Sequence, residues 1–214
     1  MEVYESQTRT EKILHQTNQR REKRADEIEK AIHLQINNKK IKTAIDYGCG
    51  EGNIGLKLAY CFDKLTLIDS SQDKINTLRE KLKTADKQQC EISLECLDFI
   101  RDGINGITAD CIITSLVLHH IEKTKDILSC FFDVLNNDGW LFVIELDEDD
   151  GRYHEYNEKS TIYNGFKRVD MEIIANEIGF ECVKSETLLY AIENEDDEKT
   201  PYSYFIMTAR KRFY

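Results

Sequence analysis

One stretch constrains this chain more than any other: TAIDYGCGEGNIGLKL, from Thr43 to Leu58. An apolar run ends in an acid and opens at once into glycines at alternate positions, Gly48, Gly50 and Gly52. Residues without a Cβ can take positive φ angles and let bare backbone N–H groups approach a ligand at the start of the following helix. At the spacing of about 20 residues expected for such a unit, a second apolar run, LTLIDSS, ends in Asp69, followed by Ser70. A carboxylate there can accept both hydroxyls of a ribose. Strand, glycine turn, helix, strand and acid together predict the nucleoside-binding half of a Rossmann-like sheet.

The glycine spacing discriminates among nucleoside ligands. A nicotinamide dinucleotide site wants G-x-G-x-x-G, and the third glycine position is here Asn53, which disfavours an NAD(P)-dependent oxidoreductase. No G-K-[ST] follows, so the loop is not a P-loop. The spacing Asp46-x-Gly48-x-Gly50-x-Gly52, with Cys49 inside it, resembles the first motif of the class I S-adenosylmethionine (SAM)-dependent methyltransferases. That resemblance implies a loop packed along the methionine and ribose of SAM, Asp46 helping to hold the cationic end, and S-adenosylhomocysteine as product. It continues in order. LECLDFI places Asp98 where the family accepts a hydrogen bond from the adenine amino group, with Phe99 beside the ring. ADCIITSLVLHHI is similar to the fourth strand and its loop, bringing Ser115 and Leu116 to the cofactor, and the pair His119-His120 suits the small-molecule branch. VLNNDGWLFVIELD resembles the following helix end, turn and fifth strand, with Asp138 where the family writes the first of two glycines. Matching residues run from Lys42 to Asp147, and the branch most similar is that of ubiquinone and menaquinone biosynthesis.

Charge and cysteine usage bound the partners. A net charge of −11 argues against a broad phosphate-binding surface, so no nucleic-acid partner is expected. The one basic cluster, Arg20-Arg21-Glu22-Lys23-Arg24, reads as a solvated helix face or a local anionic contact. The 7 cysteines include no C-x-x-C, and an odd count suits reduced thiols. Cys90 and Cys96, the closest pair, have no histidine at ligand spacing, so no metal is expected. No apolar run approaches the ~20 residues that span a bilayer, and the polar N-terminus lacks a signal-peptide pattern. The expectation is a cytoplasmic protein without a membrane partner.

The predicted fold is α/β: a Rossmann-like three-layer α/β/α sandwich, with a mostly parallel seven-stranded sheet and an antiparallel C-terminal strand. The 214 residues fit one domain. Residues 1–40 form an N-terminal helical segment, 41–147 the SAM-binding core, 148–168 a substrate lid, and 169–214 a helix and hairpin completing the sheet. Within the first, Thr10 to Ile36 is predicted helical, with a broken apolar stripe that packs at its ends, and the resemblance places such a segment over the SAM pocket. Strands are predicted at 43–47, 65–69, 92–97, 111–115 and 140–146, alternating with helices at 53–61, 72–82 and 125–135. Such alternation implies right-handed parallel crossovers. A helix at 170–178 stops at Gly179 before strands 181–191 and 202–210.

Methyl transfer is an in-line displacement at a carbon already activated by a sulfonium, so placing the nucleophile in a dry pocket supplies most of the rate. A base matters only where the acceptor must first lose a proton. The acceptor of such a sheet sits outside the carboxyl ends of the strands at the switch point, here between the first and fourth. Ser115, Leu116, His119, His120 and Glu145 lie there, with residues 151–166 as the lid. His119 and His154 are the candidate catalytic groups. Adjacent on a helix, His119 and His120 point about 100° apart and cannot both serve one centre; either is a base or substrate contact, or packs and caps. Glu145 is a strand-end acid, buried or catalytic. Tyr153, Tyr156 and Tyr163 close over an acceptor or pack the lid. Two acidic runs, 145–150 and 193–198, are solvated surface or favour a cationic acceptor or a divalent ion. The reading is a SAM-dependent methyltransferase acting on O, N or C of a small molecule. The alternative is a SAM-binding regulatory or scaffold protein without turnover.

Overall fold

Seven strands alternate with helices in the order that the apolar pattern dictates. The computed structural model describes residues 2–37, 39, 41–84, 89–148, 161–191 and 202–212, with the backbone alone for 2–17 and 191. The strands are β1 (Thr43–Tyr47), β2 (Lys64–Asp69), β3 (Glu91–Cys96), β4 (Ala109–Ser115), β5 (Leu135–Leu146), β6 (Glu181–Ala191) and β7 (Tyr202–Arg210). They form one sheet ordered β3-β2-β1-β4-β5-β7-β6. The first five pair in parallel, while β7 is antiparallel to both β5 and β6, so β7 alone runs against the rest. This is the sheet the sequence predicts. The strand order reverses between β1 and β4, which fixes the switch point at Tyr47 and Ser115.

Alternation along each strand divides the apolar side chains between two faces. One face buries Ile45, Tyr47, Ile112, Leu141 and Val143 against α5 (Thr124–Val134) and α6 (Arg168–Ile178). On α5 the buried positions Ile127, Leu128, Phe131 and Val134 recur at helical spacing and make one apolar stripe. The other face buries Ala44, Leu65, Leu67, Ile113, Phe142 and Ile144 against α1 (Glu2–Ile36), α2 (Gly55–Leu58) and α3 (Gln72–Thr84). A short α4 (Phe99–Asp102) follows β3.

Several predicted bounds shift for physical reasons. α1 starts at Glu2 rather than Thr10, and Ala25, Ile28, Ile32 and Ile36 form its buried stripe. Residues 18–23 are exposed, and from the basic cluster Arg24 turns inward, donating to Tyr204 Oη at 3.2 Å with its guanidinium over that ring. The side chains of Ile13 and Leu14 lie outside the described residues. The helix predicted from Asn53 to Cys61 is a single α-turn followed by a 3₁₀ turn, Ala59–Cys61. β5 begins at Leu135, not Trp140: Ala109 pairs with Leu135 and Cys111 with Trp140, so Asn136–Gly139 bulge out of the ladder. Asp138 sits there at φ 61, the left-handed conformation that accounts for a glycine in the family pattern. Asp110 pins the same edge, accepting from Asn136 Nδ2 and from the Lys42 and Thr43 N–H groups. At the other end of α6, Gly179 takes φ 113 and Phe180 N–H returns to Ala175 O, the predicted glycine stop.

Candidate functional site

The glycine loop is held from below by β2. Gly48 and Cys49 N–H both donate to Ile68 O, and Gly52 N–H closes the turn on Cys49 O. Gly48 has φ 74, and a Cβ there would overlap the Val117 side chain, so loop and β4 extension meet with no room for an atom. Gly50, at φ 53, is the opposite case: nothing lies within 4 Å of where its Cβ would stand. Its backbone therefore borders open space. Cys49 is buried, and burial pushes its thiol pKa up, which makes it a packing residue and not a nucleophile.

Asp69, buried at the end of β2, uses both oxygens on this turn. Oδ2 accepts from Gly50 N–H at 2.9 Å and Oδ1 from Ser71 N–H at 2.9 Å, with Lys74 Nζ 4.0 Å away. Each oxygen retains acceptor capacity beyond one such bond. Ser70 lies exposed between them. Asp46 is placed deeper than its expected role at the cationic end of a ligand suggests. It is 2% exposed, with Oδ2 accepting from Gly55 N–H at 3.0 Å. Burial raises its pKa from 3.8 to about 7, the Gly55 hydrogen bond opposing and nearby Asp69 adding to the rise. Gly55 was not among the candidates: a Cβ there would stand 2.7 Å from Asp46 Oδ2 and 2.6 Å from Leu67 Cδ2. The signal for it was a fourth small residue, in the first turn after the loop.

Asp98 and Phe99 follow β3 as expected, but both carry structural work. Asp98 Oδ1 accepts from Ile100 and Arg101 N–H and caps α4. The Phe99 ring is not open to the cleft. It is 2% exposed, 4.8 Å from the Tyr47 ring and 6.2 Å from Phe131, because the apolar face of α4 is needed to cover β1. Its N–H donates to Tyr47 Oη at 3.3 Å, and burial pushes that phenol up to about 12. Tyr47 is a second residue the sequence did not single out.

Across the switch point, Ser115 is half-buried and Leu116 takes φ 56 with its N–H on Ile144 O. A non-glycine residue there is strained, and such strain gathers at functional turns. The chain then enters a 3₁₀ turn, Leu118–His120. Glu145, fully buried on β5, accepts from Leu118 N–H at 2.8 Å with Oε1, and its Oε2 lies 2.8 Å from His119 Nδ1. His119 is 4% exposed, and its carbonyl accepts from Ile162 and Tyr163 N–H. The two histidine rings are not thrown apart as helical spacing predicts; their centroids are 4.2 Å apart.

The predicted lid divides. Its end, residues 161–166, is docked: Phe166 bridges Asp147, Tyr163 Oη donates to Glu122 O at 2.7 Å, and Gly165 at φ 82 packs against the Asp147 carbonyl. His154, Tyr153 and Tyr156 lie outside the described residues, as does the acidic run 193–198. Of the first acidic run, Glu145 is bonded as above, Asp147 is gripped by Arg168 at 2.5 and 2.6 Å, and Glu148 lies 3.6 Å from Lys167. These three carboxylates of the run are thus engaged, while Asp149 and Asp150 lie outside the described residues. Among the described residues no group of three or more His, Cys, Asp or Glu could hold a metal ion, and no helix is long and apolar enough to cross a membrane.

Sheet order, glycine turn and strand-end acids define a Rossmann-like protein of the methyltransferase fold. A methyltransferase domain family model matches residues 17–185, and the chain belongs to that family. It is 28% identical over 116 residues to an uncharacterised methyltransferase of Schizosaccharomyces pombe, which covers 51% of this chain and 40% of that protein. This chain thus spans less than half of that relative's length. Among solved structures it is similar to the N-methyltransferase NodS of Bradyrhizobium japonicum in complex with S-adenosylhomocysteine, with TM-score 0.62, 18% identity, 88% of this chain and 86% of that one. It is similar also to the magnesium protoporphyrin IX methyltransferase of Synechocystis PCC 6803 with bound S-adenosylhomocysteine, with TM-score 0.67, 15% identity, 89% of this chain and 83% of that one.

Proposed function

We propose that this chain transfers the methyl group of SAM to an oxygen, nitrogen or carbon nucleophile of a small molecule, in the cytoplasm. The carrying observation is the Asp69 clamp: one carboxylate fixes Gly50 and Ser71 N–H while the loop's outer side, at Gly50, opens on empty space. That cradle fits a nucleoside with a slender, uncrowded substituent, and in SAM that substituent is cationic and carries no phosphate. Gly48, Cys49, Gly50 and Gly52 supply the backbone wall, Asp69 with Ser70 the ribose end, and Asp98 the adenine end. Asp46 contributes its carboxylate from behind Gly55, and Ser115 and Leu116 border the reacting end. When bound, SAM supplies an electrophilic methyl on a sulfonium. The chain's own residues then have to orient the acceptor and exclude water. The acidic balance supports a small-molecule acceptor over a nucleic acid, and the His pair after β4 supports the quinone-biosynthesis-like branch.

The test is calorimetric binding of SAM, S-adenosylhomocysteine and NAD, followed by transfer of labelled methyl to catechol, phosphoethanolamine and a reduced naphthoquinone. Binding of the two SAM species with turnover of one acceptor supports the reading. Tight NAD binding sinks it. SAM binding without turnover on these or on a cell metabolite extract favours the regulatory alternative.

A further inference from the structure

Backbone N–H groups at the start of a helix have no partner inside it, and those that open α4 have each found an acceptor elsewhere. Asp98 N–H donates to Asp102 Oδ2 at 2.9 Å, and Ile100 and Arg101 N–H both donate to Asp98 Oδ1, at 2.9 and 3.2 Å. Those three bonds close within the turn itself. The remaining donor leaves it: Phe99 N–H reaches Tyr47 Oη at 3.3 Å, from a residue 52 positions away in sequence. Tyr47 ends β1 and stands directly before Gly48, so its side chain ties the strand that launches the glycine loop to the turn that carries Asp98. The ring is 5% exposed, packed 4.8 Å from Phe99 and edge-on at 5.1 Å to Phe131. It has little room to swing.

The consequence falls on Asp98. Its Oδ1 is spent on two N–H groups, so the carboxyl cannot rotate without breaking the cap, and its Oδ2 makes no hydrogen bond among the described residues. The residue is half-buried, so a ligand can still reach it. Adenine offers a donor there, its exocyclic amino group, whereas hypoxanthine offers a carbonyl oxygen and would set acceptor against acceptor. Resting on the methyl-transfer reading, which puts adenine at Asp98, we infer that Tyr47 is a positioning residue for the base: its hydroxyl holds the Phe99 backbone and thereby fixes Asp98 Oδ2 where it meets the amino group. The glycine loop and the adenine end are then set relative to each other by one side chain.

Tyr47→Phe isolates this role, because it keeps all three rings and removes only the acceptor, leaving Phe99 N–H unpaired in a buried position. Calorimetry on the full chain compares S-adenosylhomocysteine with S-inosylhomocysteine, which carries the carbonyl oxygen in place of the amino group. The wild type should prefer the adenosyl compound by at least about 10-fold, the scale of one well-placed hydrogen bond to a charged group. Asp98→Ala should abolish that preference, and Tyr47→Phe should cut it to about twofold, by weakening the adenosyl compound and hardly touching the inosyl one. Added to Asp98→Ala, Tyr47→Phe should leave the ratio unchanged, since the two act on one contact. Amide exchange without ligand should show Phe99 deprotected in Tyr47→Phe, with Ile100 and Arg101 following. A variant that weakens both compounds by the same factor makes Tyr47 a packing residue and overturns the inference, as do an unchanged ratio and a turn that keeps its protection. Wild type that binds both compounds equally also overturns it and leaves the cofactor reading standing. Wild type that binds neither them nor SAM fails the methyltransferase reading, and the inference falls with it.

Discussion

Asp46 is a carboxyl walled off from water, and its replacement by asparagine should stabilise the protein in a pH-dependent way. Its pKa stands at about 7 in the folded chain against an ordinary 3.8. Between those limits the native state holds a proton that the unfolded chain has released. Stability from this group is therefore complete below about pH 4, falls as pH rises, and is lost once pH passes about 7. A gap of about three pH units corresponds to about 4 kcal/mol in all, or about 1.4 kcal/mol per unit. Asparagine keeps an oxygen for Gly55 N–H and titrates nowhere in this range, so it shares none of the loss. Urea unfolding of both proteins from about pH 4 to about pH 8.5 should show the variant's advantage growing through the acid window and level above about pH 7. Parallel curves would mean that Asp46 ionises as easily folded as unfolded, which would refute the desolvation argument. On the proposed reading the same variant should also weaken SAM binding at alkaline pH, where the wild type holds a carboxylate behind Gly55.

Other positions give sharper yes-or-no outcomes. Asp69→Ala should cost about 1.5–3 kcal/mol of SAM affinity, the scale of hydrogen bonds to a charged group, and calorimetry with unchanged affinity would remove the ribose assignment. Gly50→Val should fold with a modest loss from the left-handed backbone, about 1–2 kcal/mol, yet fail to bind SAM, because its side chain enters the open space beside the loop. Gly55→Ala should cost more stability, about 1–3 kcal/mol, since its Cβ lands on Asp46 and Leu67 and neither can withdraw; an unchanged melting curve contradicts that packing. Amide exchange in the cofactor-free protein should find Ile162, Tyr163 and Phe166 protected, and Gly165→Ala should release Phe166 by forcing a side chain against the Asp147 carbonyl. Exchange at the open-chain rate would contradict that docking.

The sheet was legible because its signals are local. An apolar run of five or six residues, a glycine and an acid fix a strand, its direction and its end without reference to distant residues. Gly179 announces the stop of α6 in the same way. What was not legible depends on three-dimensional neighbours. Phe99 looks like a residue beside a ligand until Tyr47 and Phe131 are seen around it. The bulge at Asn136–Gly139 needs Asp110 from another strand to hold it. His119 and His120 escape the helical spacing argument because a 3₁₀ turn pinned to β5 and to residue 162 sets their rings.

The two halves of the site also follow different design rules, and the difference explains why one half could be assigned and the other only bracketed. On the α2–α3 face, the candidate ligand wall is backbone: Gly48 and Cys49 N–H hold the loop to Ile68 O, and Asp46 and Asp69 act on it through hydrogen bonds from Gly55, Gly50 and Ser71 N–H. Backbone geometry of this kind is written in glycine spacing, which tolerates little variation. On the α5–α6 face, the candidate acceptor side holds one buried side-chain pair, Glu145 and His119, 26 residues apart in sequence. Nothing in spacing announces such a pair, since any strand-end acid and any histidine in the loop beside it satisfy the pattern. Only the folded contact, 2.8 Å between His119 Nδ1 and Glu145 Oε2, brings the two together. A loop built from main chain keeps its shape whatever side chains surround it, whereas a contact between two side chains changes with either residue, so the first is legible in glycine spacing and the second only in the folded chain.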